Sequence, residues 1–437
     1  MDKQQKKNSI EVSLLLTFLI LILINVFGGY NFSYLTWGAA YWFVLGKYIV
    51  PVAVFVIMLL ISLYIFREKL QKQFSRYSQL NKSKSSFLVS LITPLFLLFV
   101  FIFFRVKTLL YGDGYLIAEN ILSLENVFTE GKSYLEFLTL YFYYYIALIL
   151  HEFAVKDGAK IISYLNSTAG VFSVYALWSI ARLLSVSTET KIFLFLSTLT
   201  SAVVILFFGY VEYYPWAFLF GFLGIRYIFG YLQGKNSSLP MILFSVLSVF
   251  FHFITIPVLI VSVYLLLYKK GMLKVITHQN LKKLTLFILS GMFAVYLIEQ
   301  FTYGRIFVTV LTGADNNYLI YSWSHLLDIV NHLFLVAPLI ICLFPVFLSK
   351  QGISGFSEDI EFRVLYLISL MAFVMSFLID PELGAARDWD LLSFYGIPCT
   401  LMVSYLIVKY FKKSKFPVWL NFALGVIVIV HIAPNIY

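Results

Sequence analysis

The chain has 437 residues, of which 61% are hydrophobic and only 12% charged, with a net charge of +10 at neutral pH. A soluble domain carries about twice that share of charge, so the composition excludes a water-soluble globule and points to a membrane protein. Nucleic-acid binding is also excluded as the meaning of the positive charge, because the bases cluster between apolar runs, where they set orientation in a bilayer.

In chain order, a basic start (residues 1–7) leads into an apolar run over 10–27. We read this run as a retained first helix and not a signal peptide, because Gly28-Gly29-Tyr30-Asn31 offers no cleavage site of the usual form. Further spans are predicted at 37–66, 87–106, 161–184, 192–208 and 215–232. The apolar run over 238–268 would measure about 46 Å as a single helix. It holds His252 and Pro257 at its middle, so it predicts a hairpin of two short helices broken at Pro257. Spans at 284–303, 326–348, 363–379, 391–410 and 416–433 complete an all-α, polytopic chain of about thirteen membrane segments. Residues 134–153 are long enough to span, which would put 209–214 in the cytoplasm, but they are tyrosine-rich and flanked by Glu136 and Glu152, which favours a helix lying along the outer interface. Cys342 and Cys399 lie in apolar segments and imply no disulfide framework.

The bases then assign the sides. Arg67, Lys69, Lys72, Arg76, Lys82 and Lys84 fill one connection, Lys269, Lys270, Lys274, Lys282 and Lys283 a second, and Lys409, Lys412, Lys413 and Lys415 a third. All three are expected in the cytoplasm. The base-poor connections, with most of the acids, fall outside.

Three outer segments carry candidate chemistry. Asp113 stands between Gly112 and Gly114 just past the third span. It reads either as a carboxylate presented at headgroup depth or as an ordinary Asp-Gly turn. Glu212 is the only charge between Lys191 and Arg226, and Tyr210, Tyr213, Tyr214 and Trp216 surround it. A lone acid between two spans is costly unless it is paired or used. Its aromatic neighbours suit either a sugar face or an interfacial belt. The third segment, over 380–390, holds Asp380, Glu382, Arg387, Asp388, Trp389 and Asp390. Arg387 can grip a phosphate with two parallel hydrogen bonds, or pair internally with an aspartate. His252, at the tip of the hairpin, is a further phosphate or hydroxyl partner. His325, Asp315, Asp328 and Arg305 form a weaker group near another outer connection.

This order of parts resembles the GT-C superfamily of polytopic glycosyltransferases, which includes protein O-mannosyltransferases and the aminoarabinose transferases that modify lipid A. A span is followed by an outer loop with an early acid, an interfacial helix, two spans joined by a short acidic connection, and a broken apolar pair. The resemblance runs over 87–268 and more loosely to 410. It implies that residues 87–437 form the catalytic membrane domain; residues 1–86, two extra N-terminal helices with a basic cytoplasmic loop, are an addition to the family pattern. It implies transfer of a sugar from a polyprenyl-phosphate donor to a glycan, lipid or protein acceptor on the outer face of a bacterial plasma membrane. Asp113 would be the catalytic base, and Glu212 would position the acceptor or a divalent cation (Mg or Mn). Arg387 and His252, with Asp388, Trp389 and Tyr213, would hold the lipid phosphate and the substrate. The chain departs from the family pattern in that Asp113 lacks a paired acid and Glu212 stands where Asp is usual. An envelope polysaccharide polymerase or ligase is the related alternative, although outer arginines are few. A secondary transporter or lipid flippase is the alternative from another class, although no inverted repeat is visible.

Overall fold

Long apolar runs without breakers fold as helices, because in a low-dielectric surrounding each backbone group must be satisfied within its own segment. The computed structural model describes residues 3–31, 35–80, 87–107, 114–121, 137–152, 157–269, 319–343, 359–379, 381, 384–411 and 415–435. Among these the chain is α-helical with no strand. Five helical stretches are long and apolar enough to cross a membrane: Asn8–Tyr30, Trp37–Ile65, Gly158–Leu184, Tyr214–Leu232 and Ile360–Leu378. The expected span over 284–303 and the residues Arg305 and Asp315 lie outside the described residues.

The first span lies within α1 (Lys3–Tyr30). The second is a tight helical turn, Trp37–Tyr48, kinked at Gly46 and continued by α2 (Ile49–Ile65). The polar helix α3 (Arg67–Leu80) follows, then the apolar α4 (Phe87–Phe103) and the short α5 (Gly114–Asn120). Leu16, Ile20, Leu23 and Phe27 form an exposed lane along α1, and Leu95, Phe96, Phe99 and Phe103 form one along α4. In water such stripes would drive aggregation, whereas in a bilayer they face lipid.

Helices α6 (Phe137–Glu152), α7 (Gly158–Leu184), α8 (Thr188–Leu199) and α9 (Tyr214–Leu232) build the centre. The fifth predicted span is not one helix. It stops at Leu199 and resumes as a tight turn over Ala202–Phe207 capped by Ser201, whose hydroxyl also donates to the Val336 carbonyl at 2.5 Å. The hairpin is α10 (Ser238–Phe251) and α11 (Ile256–Lys269). Its break falls at His252, before Pro257. Proline sits in the first turn of α11, where its missing N–H costs nothing, so the sequence-based placement of the break at Pro257 is corrected. Helices α12 (Trp323–Val336), α13 (Ile360–Leu378), α14 (Gly396–Tyr410) and α15 (Trp419–Ile432) close the bundle.

The two ends of the bundle are readable from contacts. At one end Arg67 pairs with Glu11 at 3.7 Å, and Trp419 Nε1 donates to Glu11 at 2.9 Å. Lys409 pairs with Asp359 at 2.6 Å, and Lys269 meets the Tyr231 carbonyl. The described bases of all three basic connections therefore collect there. At the other end the Val106 N–H donates to the Phe208 carbonyl at 2.7 Å, and Gly158 packs on the Ala118 carbonyl. Helix α4 thus ends, and α7 begins, at the same end of the bundle. A small second core lies there, built from Ile117, Ile121, Tyr143, Tyr144, Ala147, Ile161, Ile162 and Val211.

Candidate functional site

The site is built around the irregular segment 208–213 between the Ala202–Phe207 turn and α9. Gly209 makes the bend with φ +67°, a left-handed conformation that other residues adopt only at a cost. A Cβ here would also meet Ser163 Oγ at 2.3 Å, so glycine is required twice over. Pro215 then sits in the first turn of α9, which fixes where the helix resumes.

Glu212 is 1% exposed. Its main chain is held from two directions. The Asn166 side-chain amide, projecting from α7, donates to the Tyr210 carbonyl at 2.7 Å and to the Glu212 carbonyl at 3.0 Å. The Tyr143 hydroxyl, from α6, lies 2.6 Å from Asn166 Oδ1 and 3.0 Å from the Glu212 carbonyl, so one proton serves two acceptors. Both Asn166 and Tyr143 are fully buried. Burial holds the Tyr143 phenol protonated far beyond its usual range. Its bond to Asn166 works the other way, and the nearby Glu212 charge adds to the rise. The phenol is therefore a permanent donor, and the segment that carries Glu212 is fixed in advance.

The hairpin tip joins this site. His252 is 3% exposed, and its ring lies edge-on to Tyr214 with centroids 4.7 Å apart. Its Nδ1 accepts from the Ile254 N–H at 3.2 Å. Thr139 of α6 donates to the Phe251 carbonyl at 2.6 Å, so α6 bridges the hairpin tip and the Glu212 segment. Tyr213 is half-buried and belongs to the small core beside α6.

The 384–392 turn closes the other flank. Trp389 is buried, with its ring 6.0 Å from that of Tyr210. His332 of α12 pins it: Nε2 lies 2.7 Å from the Trp389 carbonyl and Nδ1 2.7 Å from the Tyr395 hydroxyl. The carbonyl can only accept, so Nε2 carries the proton and Nδ1 accepts from Tyr395. Asp388 and Asp390 are buried, while Arg387 is exposed at the surface of the same turn. Asp380 and Glu382 lie outside the described residues.

Asp113 also lies outside the described residues. Its neighbour Gly114 is described, and a Cβ there would meet the Val211 carbonyl at 2.6 Å. The start of α5 therefore abuts the segment that carries Glu212. Two participants were missed by sequence reasoning besides Tyr143. Asn166 was legible only as a lone amide in an apolar span. Arg105, at the end of α4, is half-buried against Gly209, with its guanidinium 5.9 Å from the Tyr164 ring centre. Among the described residues no three His, Cys, Asp or Glu side chains gather closely enough to hold a metal ion.

Taken together, Glu212, Tyr213, His252, Asp388 and Trp389 converge at one end of the bundle, opposite the paired bases, with Arg387 on the rim. Compared with known proteins, the chain matches no family model, no curated protein and no solved structure.

Proposed function

We propose that this chain is a multi-pass membrane glycosyltransferase that moves a sugar from a polyprenyl-phosphate donor to an acceptor on the outer face of the plasma membrane. The observation that carries the reading is Glu212. It is a buried acid on a segment whose backbone is fixed by Asn166 and Tyr143, at the end of the bundle away from the three basic connections. Preorganised backbone around one acid is what transition-state stabilisation requires, since nothing then reorganises as charge develops. The positive-inside rule puts the basic end in the cytoplasm and Glu212 outside. Because α4 ends and α7 begins at the Glu212 end, α6 is read as lying on the outer surface, in keeping with the GT-C-like arrangement of about thirteen membrane segments.

In this reading the acceptor hydroxyl attacks the anomeric carbon of the donor and inverts it. Asp113 takes the proton, and Glu212 orients the acceptor or a divalent ion. The departing lipid phosphate is met by Arg387 at the rim and by His252. Arg105, beside Gly209, is a further cation for that phosphate. The charge stays at the interface while the isoprenoid tail stays in lipid.

The test is consumption of polyprenyl-phosphate sugar by full-length protein in vesicles. The expected outcome is turnover by the wild type and a loss of about 100-fold or more in Asp113→Asn and in Glu212→Gln, the usual scale for a catalytic acid or base. Unchanged consumption in both variants, with normal membrane insertion, contradicts the proposal.

A further inference from the structure

Arg226 is the only charge in α9. It stands six residues, about 9 Å along the axis, before that helix ends. The end of α9 belongs to the basic end of the bundle, where Gln233 donates to the Leu183 carbonyl at 2.8 Å and ties α9 to the close of α7. Two other bases at this end meet acids, Arg67 with Glu11 and Lys409 with Asp359. Among the described residues Arg226 meets none, and neither does Arg182, on the last turn of α7.

The Arg226 head is held where it is. Its Nε donates to Ser179 Oγ of α7 at 3.0 Å, and its guanidinium lies 4.3 Å from the Tyr227 ring centre. Phe244 of α10 stacks on Tyr227 with centroids 5.2 Å apart and planes 7° from parallel, which fixes that ring. Nη1 is enclosed with no hydrogen-bond partner, while the residue as a whole is half-buried and so is not sealed from the lipid side. A guanidinium free to swing would reach for water; one held short of the helix end is a standing cation at the edge of the apolar zone. Such a cation is costly unless an anion comes to it.

The surroundings select the anion. Arg182 is three residues after Ser179 on the same face of α7, and it is exposed. Tyr175 and Phe172, four and seven residues before Ser179, continue that face toward the membrane interior and are exposed as well. Leu223, one turn before Arg226, is half-buried. The groove between α7 and α9 therefore carries two guanidinium groups at its basic end and an apolar lane leading inward. Arginine forks match phosphate oxygens, and no acid stands beside them to compete. A free phosphate would use the arginines and leave the lane bare, whereas a lipid phosphodiester uses both. We infer that this groove binds an anionic phospholipid of the cytoplasmic leaflet, with its phosphate on Arg226 and Arg182 and an acyl chain along Tyr175 and Phe172. The inference is independent of the transferase reading, since the site lies at the opposite end of the bundle from Glu212.

The experiment is native mass spectrometry of the full-length protein in detergent, titrated with dioleoyl phosphatidylglycerol and, separately, dioleoyl phosphatidylethanolamine. The wild type is expected to prefer the anionic lipid by about tenfold or more, the scale of one or two charge-assisted contacts. Arg226→Gln is expected to abolish the preference. Arg226→Lys, which keeps the charge and loses the fork, and Arg182→Gln are each expected to cut it several-fold. Lys415→Gln, at the same end but outside the groove, is expected to keep it. Inorganic phosphate at millimolar concentration is expected not to displace the lipid. Arg182 is exposed, so Arg182→Gln and Arg226→Lys carry the test even where Arg226→Gln does not fold. The inference is overturned if the wild type shows no preference, if Arg182→Gln and the folded Arg226 variants all keep the wild-type preference, or if inorganic phosphate displaces the lipid.

Discussion

At one end of this bundle the basic connections are tied down by acids, and at the other the backbone of the segment that carries Glu212 is held by uncharged side chains. Asp359 caps α13 by accepting the Glu361 and Phe362 N–H groups, and it also receives Lys409 at 2.6 Å. Glu11 receives Arg67 and Trp419. Lys415 reaches Ser75, and Gln71 accepts the Val418 N–H, both at 3.0 Å, tying α3 to the start of α15. These are the contacts of a structural base. In the segment that carries Glu212, the Tyr210 and Glu212 carbonyls are held by Asn166 and Tyr143, neither of which carries a charge. The difference separates a foundation from a site, and substitutions at the two ends should fail in different ways.

The largest effect is expected at the clamp. Asn166→Ala removes two buried hydrogen bonds to carbonyls and the acceptor of the Tyr143 hydroxyl. At about 1 kcal/mol or more for each buried group left unmade, the loss is about 2–4 kcal/mol. It should appear as a clear fall in the detergent melting temperature together with lost transfer. Tyr143→Phe should lower transfer while costing only about 1 kcal/mol, the worth of one hydrogen bond. If both variants melt and turn over as the wild type does, the clamp does not matter and the comparison fails.

Gly209→Ala comes next. The left-handed backbone alone costs about 1–2 kcal/mol for a residue with a Cβ. Contact with Ser163 adds to this, and the double variant Gly209→Ala, Ser163→Gly should recover only the contact part. Full recovery of the melting temperature would show that backbone strain at Gly209 is negligible.

At the basic end the effects are smaller and depend on pH. Burial works against the charged form of Asp359, but Lys409 and the α13 N–H groups outweigh it and hold its carboxyl below the usual range. A carboxyl lowered in the folded state stabilises it above the ordinary carboxylate pKa. That contribution is lost as pH falls through the lowered value. Asp359→Asn keeps the cap and removes the charge. It should melt up to about 1 kcal/mol less stably at neutral pH, since the pair is partly solvated. It should match the wild type in acid, and transfer should be unchanged. Lys415→Ala is the smallest, within about 0.5 kcal/mol, because the contact it loses is exposed. A large loss of transfer from either would erase the distinction between the two ends.

Much of the helix inventory was legible in the sequence. Apolar length predicts spans directly, and the clustering of Arg67 to Arg76, Lys269 and Lys409 to Lys415 anticipates a basic end. The break at Thr200–Ser201 was not legible, because hydropathy does not register it; the Ser201 cap and its bond to Val336 come from the far side of the bundle. The hairpin break was misplaced because proline is a breaker inside a helix but a starter in its first turn. Glu212 stood out as a lone charge. Its support did not, since Tyr143 is 69 residues away, in the segment read as an interfacial helix, and Asn166 is 46 away, in one read as a plain apolar span. Arg387 and Trp389 stood together in sequence, yet the turn sends one to the surface and the other inward against Tyr210. Neighbours in a turn share no face, and only packing decides which of them enters the site.

The two ends should face opposite sides of the membrane, and site-directed cysteine labelling tests this most directly. Cys342 and Cys399 are both buried, so they leave a low background. Val186, 93% exposed in the turn after α7, reports the basic end, and exposed Ala386 reports the Trp389 turn. In intact cells an impermeant maleimide should label Ala386→Cys fully and leave Val186→Cys unlabelled until the membrane is opened. Labelling of both from the same side, or of Val186→Cys alone from outside, would contradict it.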